Sequence, residues 1–199
     1  YNAALVVDGK TIDTKPLRVS GDPDVALTEL QRKQLYDMAM EMHDLQKRAT
    51  EAGAGVASLN RQIGEIEPSI TGTSDLPTDV KSSFDSLKSA TAALAAKLPV
   101  TAGGGRGGGG GRGAADQSLT GKIAQAKNGL MGGMWPTSVT MRAYADAKAE
   151  APKTLSDANA LFAKAAALTT SLARYNITLS APQPVEAGPP LKKKPATVR

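Results

Sequence analysis

The stretch 28-TELQRKQLYDMAMEMHDLQKRATEAGAGVASLNRQIGEIEP-68 decides the fold. Leu30, Leu35, Met38, Met42, Leu45, Ala49, Ala52, Val56, Leu59, Ile63 and Ile66 recur every three to five residues, which lines them along one side of a helix nearly 40 residues long. At 1.5 Å per residue this rod spans roughly 55 Å. A rod with one apolar side must lie against partners of comparable length. Thr28 and Gln31 have the spacing of a capping box at its start, and Pro68 reads as its stop, with 69-SITGTSDLP-77 as a loop. Gly53 and Gly55 weaken the middle, so a kink or a break into two helices is expected there.

Downstream, Thr78 reads as the cap of a second helix running to Lys97, with Val80, Phe84, Leu87, Leu94 and Leu98 as its stripe and Pro99 as its stop. A short third helix carries Leu119, Ile123, Ala126 and Leu130 and closes near Gly132 and Gly133. Thr137 caps a fourth, long helix with Met141, Tyr144, Ala151, Leu155, Ala158, Phe162, Ala165, Leu168, Leu172 and Tyr175 along one side. Pro152 lies inside it and predicts a kink or a restart after residue 151. Two long rods joined by two shorter ones describe an antiparallel helical bundle of three to four helices.

Upstream, 3-AALVV-7, Asp8-Gly9 and 10-KTIDTKPLRV-19 read as a β-hairpin, with Leu5 and Val7 on one face and Leu17 and Val19 on the return strand; residues 11–15 fit an irregular arm equally well. A lone hairpin is marginal in water, which points to it as the last ribbon of an upstream sheet, in keeping with a chain that starts on Tyr1. The domain reading is therefore a hairpin over 1–22, a helical bundle over 23–180 interrupted by a disordered glycine-rich loop at 103–113, and a disordered basic Pro/Lys tail over 181–199.

Composition agrees with thin helix-on-helix packing: 33 alanines against 4% aromatic residues leave few large side chains for a sandwich or barrel core. The absence of cysteine excludes a disulfide scaffold, thiolate metal sites and cysteine nucleophiles. Apolar runs such as 92-AALAA-96 fall far short of a membrane span. Of the net charge of +5, the tail from 182 to 199 carries +3 and the tract 103-GGGRGGGGGRG-113 carries +2 through Arg106 and Arg112, so the rest of the chain is neutral. That distribution argues against nucleic acid as a partner of the folded part.

No candidate site survives comparison with a structural explanation. His43, the one histidine, has Met42 and Leu45 of the stripe beside it, and neither Glu41 nor Glu51 completes a ligand spacing with it. Glu65 and Glu67 project in different directions and do not form facing carboxylates. The glycine tract lacks the Lys-Ser/Thr pair of a phosphate loop and follows a helix rather than a strand. Two arginines without aromatics make a weak RNA-binding segment. Met38 and Met42 fill the stripe while Met40 points elsewhere, and Trp135 fits a bundle end. The expectation is no catalytic, metal or cofactor-binding residue and no cofactor.

The sequence 1-YNAALVVDGKTIDTKPLRVSGDPDV-25, followed by 30-LQRKQLYDMAMEMHDLQKRATEAGAGVASLNRQIGEI-66, 119-LTGKIAQAKNGLMGG-133 and the helix over 137–175, resembles the C-terminal region of bacterial sortilin-like, or BNR-repeat glycosyl-hydrolase-like, β-propeller proteins. The resemblance implies a hairpin that ends an immunoglobulin-like domain, an appended helical bundle, and a secreted or periplasmic location. Its implied partners are the parent's propeller and immunoglobulin-like domains, with self-association through the long helices as a further mode. Propeller Asp boxes are absent from this sequence, so no hydrolase role carries over to any residue here. The function expected is a non-catalytic structural or interaction module of a larger exported protein. The alternative is an accessory bundle of a propeller glycoside hydrolase whose catalytic residues lie outside this chain.

Overall fold

The long apolar stripe forms one uninterrupted helix. A computed structural model of the protein describes residues 2–18, 27–100 and 117–186, and within them helix α1 spans Glu29–Gly72. Its capping box is made, with Gln31 N–H donating to Thr28 Oγ1 at 3.2 Å and Thr28 N–H donating to Gln31 Oε1 at 2.9 Å. The break expected at Gly53 and Gly55 is absent, because these glycines serve close approach. A Cβ at position 53 would lie 3.1 Å from the Leu98 carbonyl oxygen, and one at 55 would lie 2.7 Å from Phe162 Cζ. Pro68 does not stop the helix either. Ile70, two residues later, is buried, and the last turn is closed by Thr73 N–H on the Ser69 carbonyl, which together offset the one hydrogen bond that proline removes.

Helices α2, Thr78–Lys97, α3, Leu119–Leu130, and α4, Ser138–Ala173, complete the bundle. Thr78 is the first helical residue of α2 rather than its cap; Pro77 holds the cap position without a side-chain bond. Ser118 and Thr137 do cap α3 and α4. Helix α4 runs across Pro152 without restarting, since Ala151, Thr154 and Leu155 are buried on both sides of it. At the start of α4 the buried residues are Ala143 and Ala147, with Tyr144 partly buried against the core beside them. Small alanines there let the helices approach closely, and the larger side chains move to the flank. Leu30 is likewise 66% exposed and does not belong to the core stripe of α1.

Pairs of touching residues give the topology. Helix α2 runs antiparallel to α1, with Lys88 on Glu67 near one end and Leu98 against Gly53 at the other. Helix α3 continues in the same direction, placing Lys127 on Gln46 of α1 and Lys122 on Glu150 of α4. Helix α4 returns parallel to α1, matching Tyr144 to Glu41 and Phe162 to Gly55. Helices α2 and α3 therefore act end to end as one interrupted rod between the two long ones. Phe84, Phe162, Met42, Leu59, Ile63 and Ile123 lie among the fully buried side chains of the shared core.

Strand β1, Asn2–Val7, pairs antiparallel with β2, Lys10–Pro16. Asp8 and Gly9 take φ of 50° and 77°, the left-handed pair that a two-residue turn demands. Residues 11–15 are thus strand rather than irregular arm, with a bulge at Ile12, because Leu5 faces Asp13 while Val6 faces Thr11. Every described residue of the hairpin is exposed.

The chain after α4 stays packed past the expected boundary at 181. Ile177, Leu179 and Val185 are buried, so the unstructured tail predicted to begin at residue 181 is corrected over 181–186, where these anchors and their hydrogen bonds hold the chain. The remainder of that tail, Val19 and the glycine-rich tract 103–113 lie outside the described residues.

Candidate functional site

Three features draw polar side chains together. The first joins α1 to α4. Tyr144 Oη donates to Glu41 Oε2, Lys148 Nζ lies 2.7 Å from Glu41 Oε1 and 3.3 Å from Tyr144 Oη, and the lysine stands 5.4 Å from the tyrosine ring centroid. Burial, then the Glu41 carboxylate, pushes the Tyr144 phenol up, and Lys148 only partly opposes them. Burial pulls Lys148 down, but Glu41 and Tyr144 outweigh it and hold the ammonium above its ordinary value. A lysine four residues after a tyrosine can activate a phenolate base. Here the carboxylate occupies both partners, so the trio works as an inter-helix clamp.

Around it, Lys122 reaches Glu150 at 2.6 Å, and Lys127 donates to Gln46 Oε1 at 2.8 Å while standing 3.3 Å from His43 Nδ1. His43 and Glu41 therefore turn to different helices, α3 and α4. Glu65 pairs loosely with Arg61 on its own helix at 3.9 Å, whereas Glu67 takes Lys88 of α2. Among the described residues no three His, Asp or Glu side chains gather in a group able to hold a metal ion. Met42 is fully buried and Met40 is 41% exposed; Trp135 is 46% exposed beside Met134 at 74%. Trp135 thus lies on the α3–α4 loop surface rather than sealing the bundle end.

The second feature is a groove between α1 and α4 filled by residues 177–186, a strap that is neither helix nor strand. The Gln62 amide holds residue 180 on both sides, accepting from Ser180 N–H at 2.8 Å and donating to its carbonyl at 3.2 Å. Asn159 does the same for Val185, at 2.8 and 2.9 Å. Thr169 Oγ1 stands 2.9 Å from the Leu179 carbonyl oxygen. Two side-chain amides from different helices thus read the strap's main chain as a neighbouring strand would. Gly55 leaves room for Pro182, whose Cβ would lie 3.1 Å from a Cβ at that position.

The third feature is a notch of about 410 Å³ at the joint between α2 and α3. Gln46, Thr50 and Gly53 of α1 form its floor, with Val100 and Ser118 at the two sides. Among the described residues, the polar side chains that line it, such as Gln46, Thr50, Ser118 and Asn128, are uncharged.

Sequence reasoning reached the stripe residues around these features and missed the features themselves. The Tyr144–Lys148 spacing was a readable helical pair. Nothing in the sequence linked Gln62 or Asn159 to residues 118 and 26 positions away. Comparison with family models, curated proteins and solved structures returns no match. No described helix is long and apolar enough to cross a membrane.

Proposed function

We propose that the chain is a non-catalytic interaction module whose hairpin completes a sheet belonging to a partner domain, while the helices form an appended bundle. One observation carries this reading. Leu5, Val6, Val7, Ile12 and Leu17 are each about half exposed or more, on a two-stranded ribbon with both edges unpaired among the described residues. Two strands are too few to be stable in water, and apolar side chains on both faces seek cover. Among the described residues the half-buried ion pairs of the bundle, Lys148 with Glu41 and Lys122 with Glu150, join one helix to another, which supports a scaffold role.

On the residues that resemble the sortilin-like class, the partner domain is an immunoglobulin-like sheet of a larger exported β-propeller protein. Asp boxes in the parent's upstream sequence support that part of the proposal, and their absence removes it. The interaction reading itself is tested by amide hydrogen exchange. In this chain alone the amides of β1 and β2 exchange nearly freely while those of α1 are protected, and in the parent protein the hairpin becomes protected. Hairpin amides as slow as those of α1 in the isolated chain refute it, since the ribbon would then need no partner.

A further inference from the structure

We propose that the α1–α4 groove is a peptide-binding site in trans, and that its ligand is residues 177–186 of a second copy of this chain. The strap is held by contacts that do not depend on covalent attachment. Gln62 and Asn159 each grip a main-chain N–H and carbonyl, Thr169 meets a third carbonyl, and Ile177, Leu179 and Val185 bury their side chains. Pro182 and Pro184 favour an extended chain and need no donor partner for their own nitrogens. The groove is fitted to one sequence, its own strap, and every further copy of the protein carries that sequence.

The hinge gives the exchange its opportunity. Helix α4 ends at Ala173, and the chain reverses within residues 174–176 through Asn176 at φ 59°. The reversal is closed by three backbone bonds, from Tyr175 and Ile177 N–H to the Leu172 carbonyl and from Asn176 N–H to that of Ala173. A left-handed asparagine is tolerated but less favourable than a glycine. Straightening this short hinge carries the strap away from its own groove toward a neighbour's, where it makes the same contacts. Exchange thus leaves the groove interactions unchanged, and hinge conformation and protein concentration set the balance. This inference is independent of the hairpin's role.

Two full-length variants test it by complementation. One loses the grip and keeps its strap, Gln62→Ala with Asn159→Ala; the other loses the strap anchors and keeps its groove, Leu179→Asp with Val185→Asp. Mixed at high micromolar concentration, they form a one-to-one complex of twice the 20.5 kDa chain mass in light scattering, limited to strap from the first in the groove of the second. Excess free peptide 177–186 dissolves it, and each variant alone remains monomeric. Absence of a complex between two variants that keep wild-type helicity overturns the proposal. If the double strap variant fails to fold, the wild-type chain refolded from denaturant at high and low concentration decides. A slowly dissociating dimer at high concentration that Asn176→Gly diminishes supports strap exchange, and a monomer at both concentrations overturns it.

Discussion

Substituting alanine at Gly55 and at Gly64 separates close approach from helix propensity, since both glycines lie in one helix nine residues apart. In an exposed helix interior, Gly→Ala gains about 1 kcal/mol. At Gly64 an added Cβ meets nothing within 4 Å, so Gly64→Ala is expected to realise most of that gain. At Gly55 the same atom would stand 2.7 Å from Phe162 Cζ and 3.1 Å from Pro182 Cβ, and Phe162 is 2% exposed with little room to turn. Overpacking of this kind costs about 1–3 kcal/mol, which cancels the propensity term and leaves a net loss of roughly 1 kcal/mol. At about 2–4 °C per kcal/mol for a chain of this size, the two variants should move the midpoint in opposite directions by a few degrees each. Thermal melts by circular dichroism read the sign directly. Hydrogen exchange at Val185 then shows how Gly55→Ala is accommodated, since a strap lifted from the groove loses protection there. A Gly55→Ala protein as stabilised as Gly64→Ala would refute the claim that Gly55 is kept for contact.

Asn159→Ala removes both hydrogen bonds to Val185 at a half-buried position, and urea unfolding should register a loss of about 1–2 kcal/mol. Alkaline pH should weaken the bundle through the Glu41–Tyr144–Lys148 clamp. The native state holds the protons of Tyr144 and Lys148 more tightly than the ordinary values of 10.0 and 10.5, so their contributions are complete below about pH 10 and decline as pH rises through the raised values. Melting curves between pH 9 and 12 should show this decline, and Tyr144→Phe should make it shallower. Leu5→Asp with Val7→Asp, on the exposed hairpin, should leave the melting midpoint of the bundle within about 0.5 kcal/mol of wild type.

The helices were legible in the sequence because periodicity and caps are local. The stripe of α1 from Leu35 to Ile63 is buried except for the partly buried Met38, all four stripe residues of α3 are buried, and Thr28 and Thr137 cap as their spacing predicts. Pro68, Pro152, Gly53 and Gly55 misled for one reason. Their local penalties are a few kcal/mol at most, and each lies where neighbouring residues are packed on both sides, so tertiary burial outweighs them. At the start of α4 a hydrophobicity pattern finds Tyr144, which packs against the core, but passes over Ala143 and Ala147, because close helix contact favours the small residue. Neighbouring lanes of the bundle run antiparallel as expected, and α1 and α4 run parallel to each other because α2 and α3 share the one lane between them. The groove was invisible because its grip comes from two amides, Gln62 and Asn159, that look like ordinary solvated positions along their helices.

The interruption between α2 and α3 gives the bundle a natural port. Pro99 and Val100 on one side and Ser118 on the other line the same notch, so the C-terminal end of α2 and the N-terminal end of α3 already lie close together. The closure penalty of a longer connection grows only with the logarithm of its length, by about 0.6 kcal/mol per doubling. A guest domain whose own termini are adjacent can therefore be spliced into the interruption without changing the register of either half-rod, making the bundle a carrier that presents its passenger from the middle of its flank.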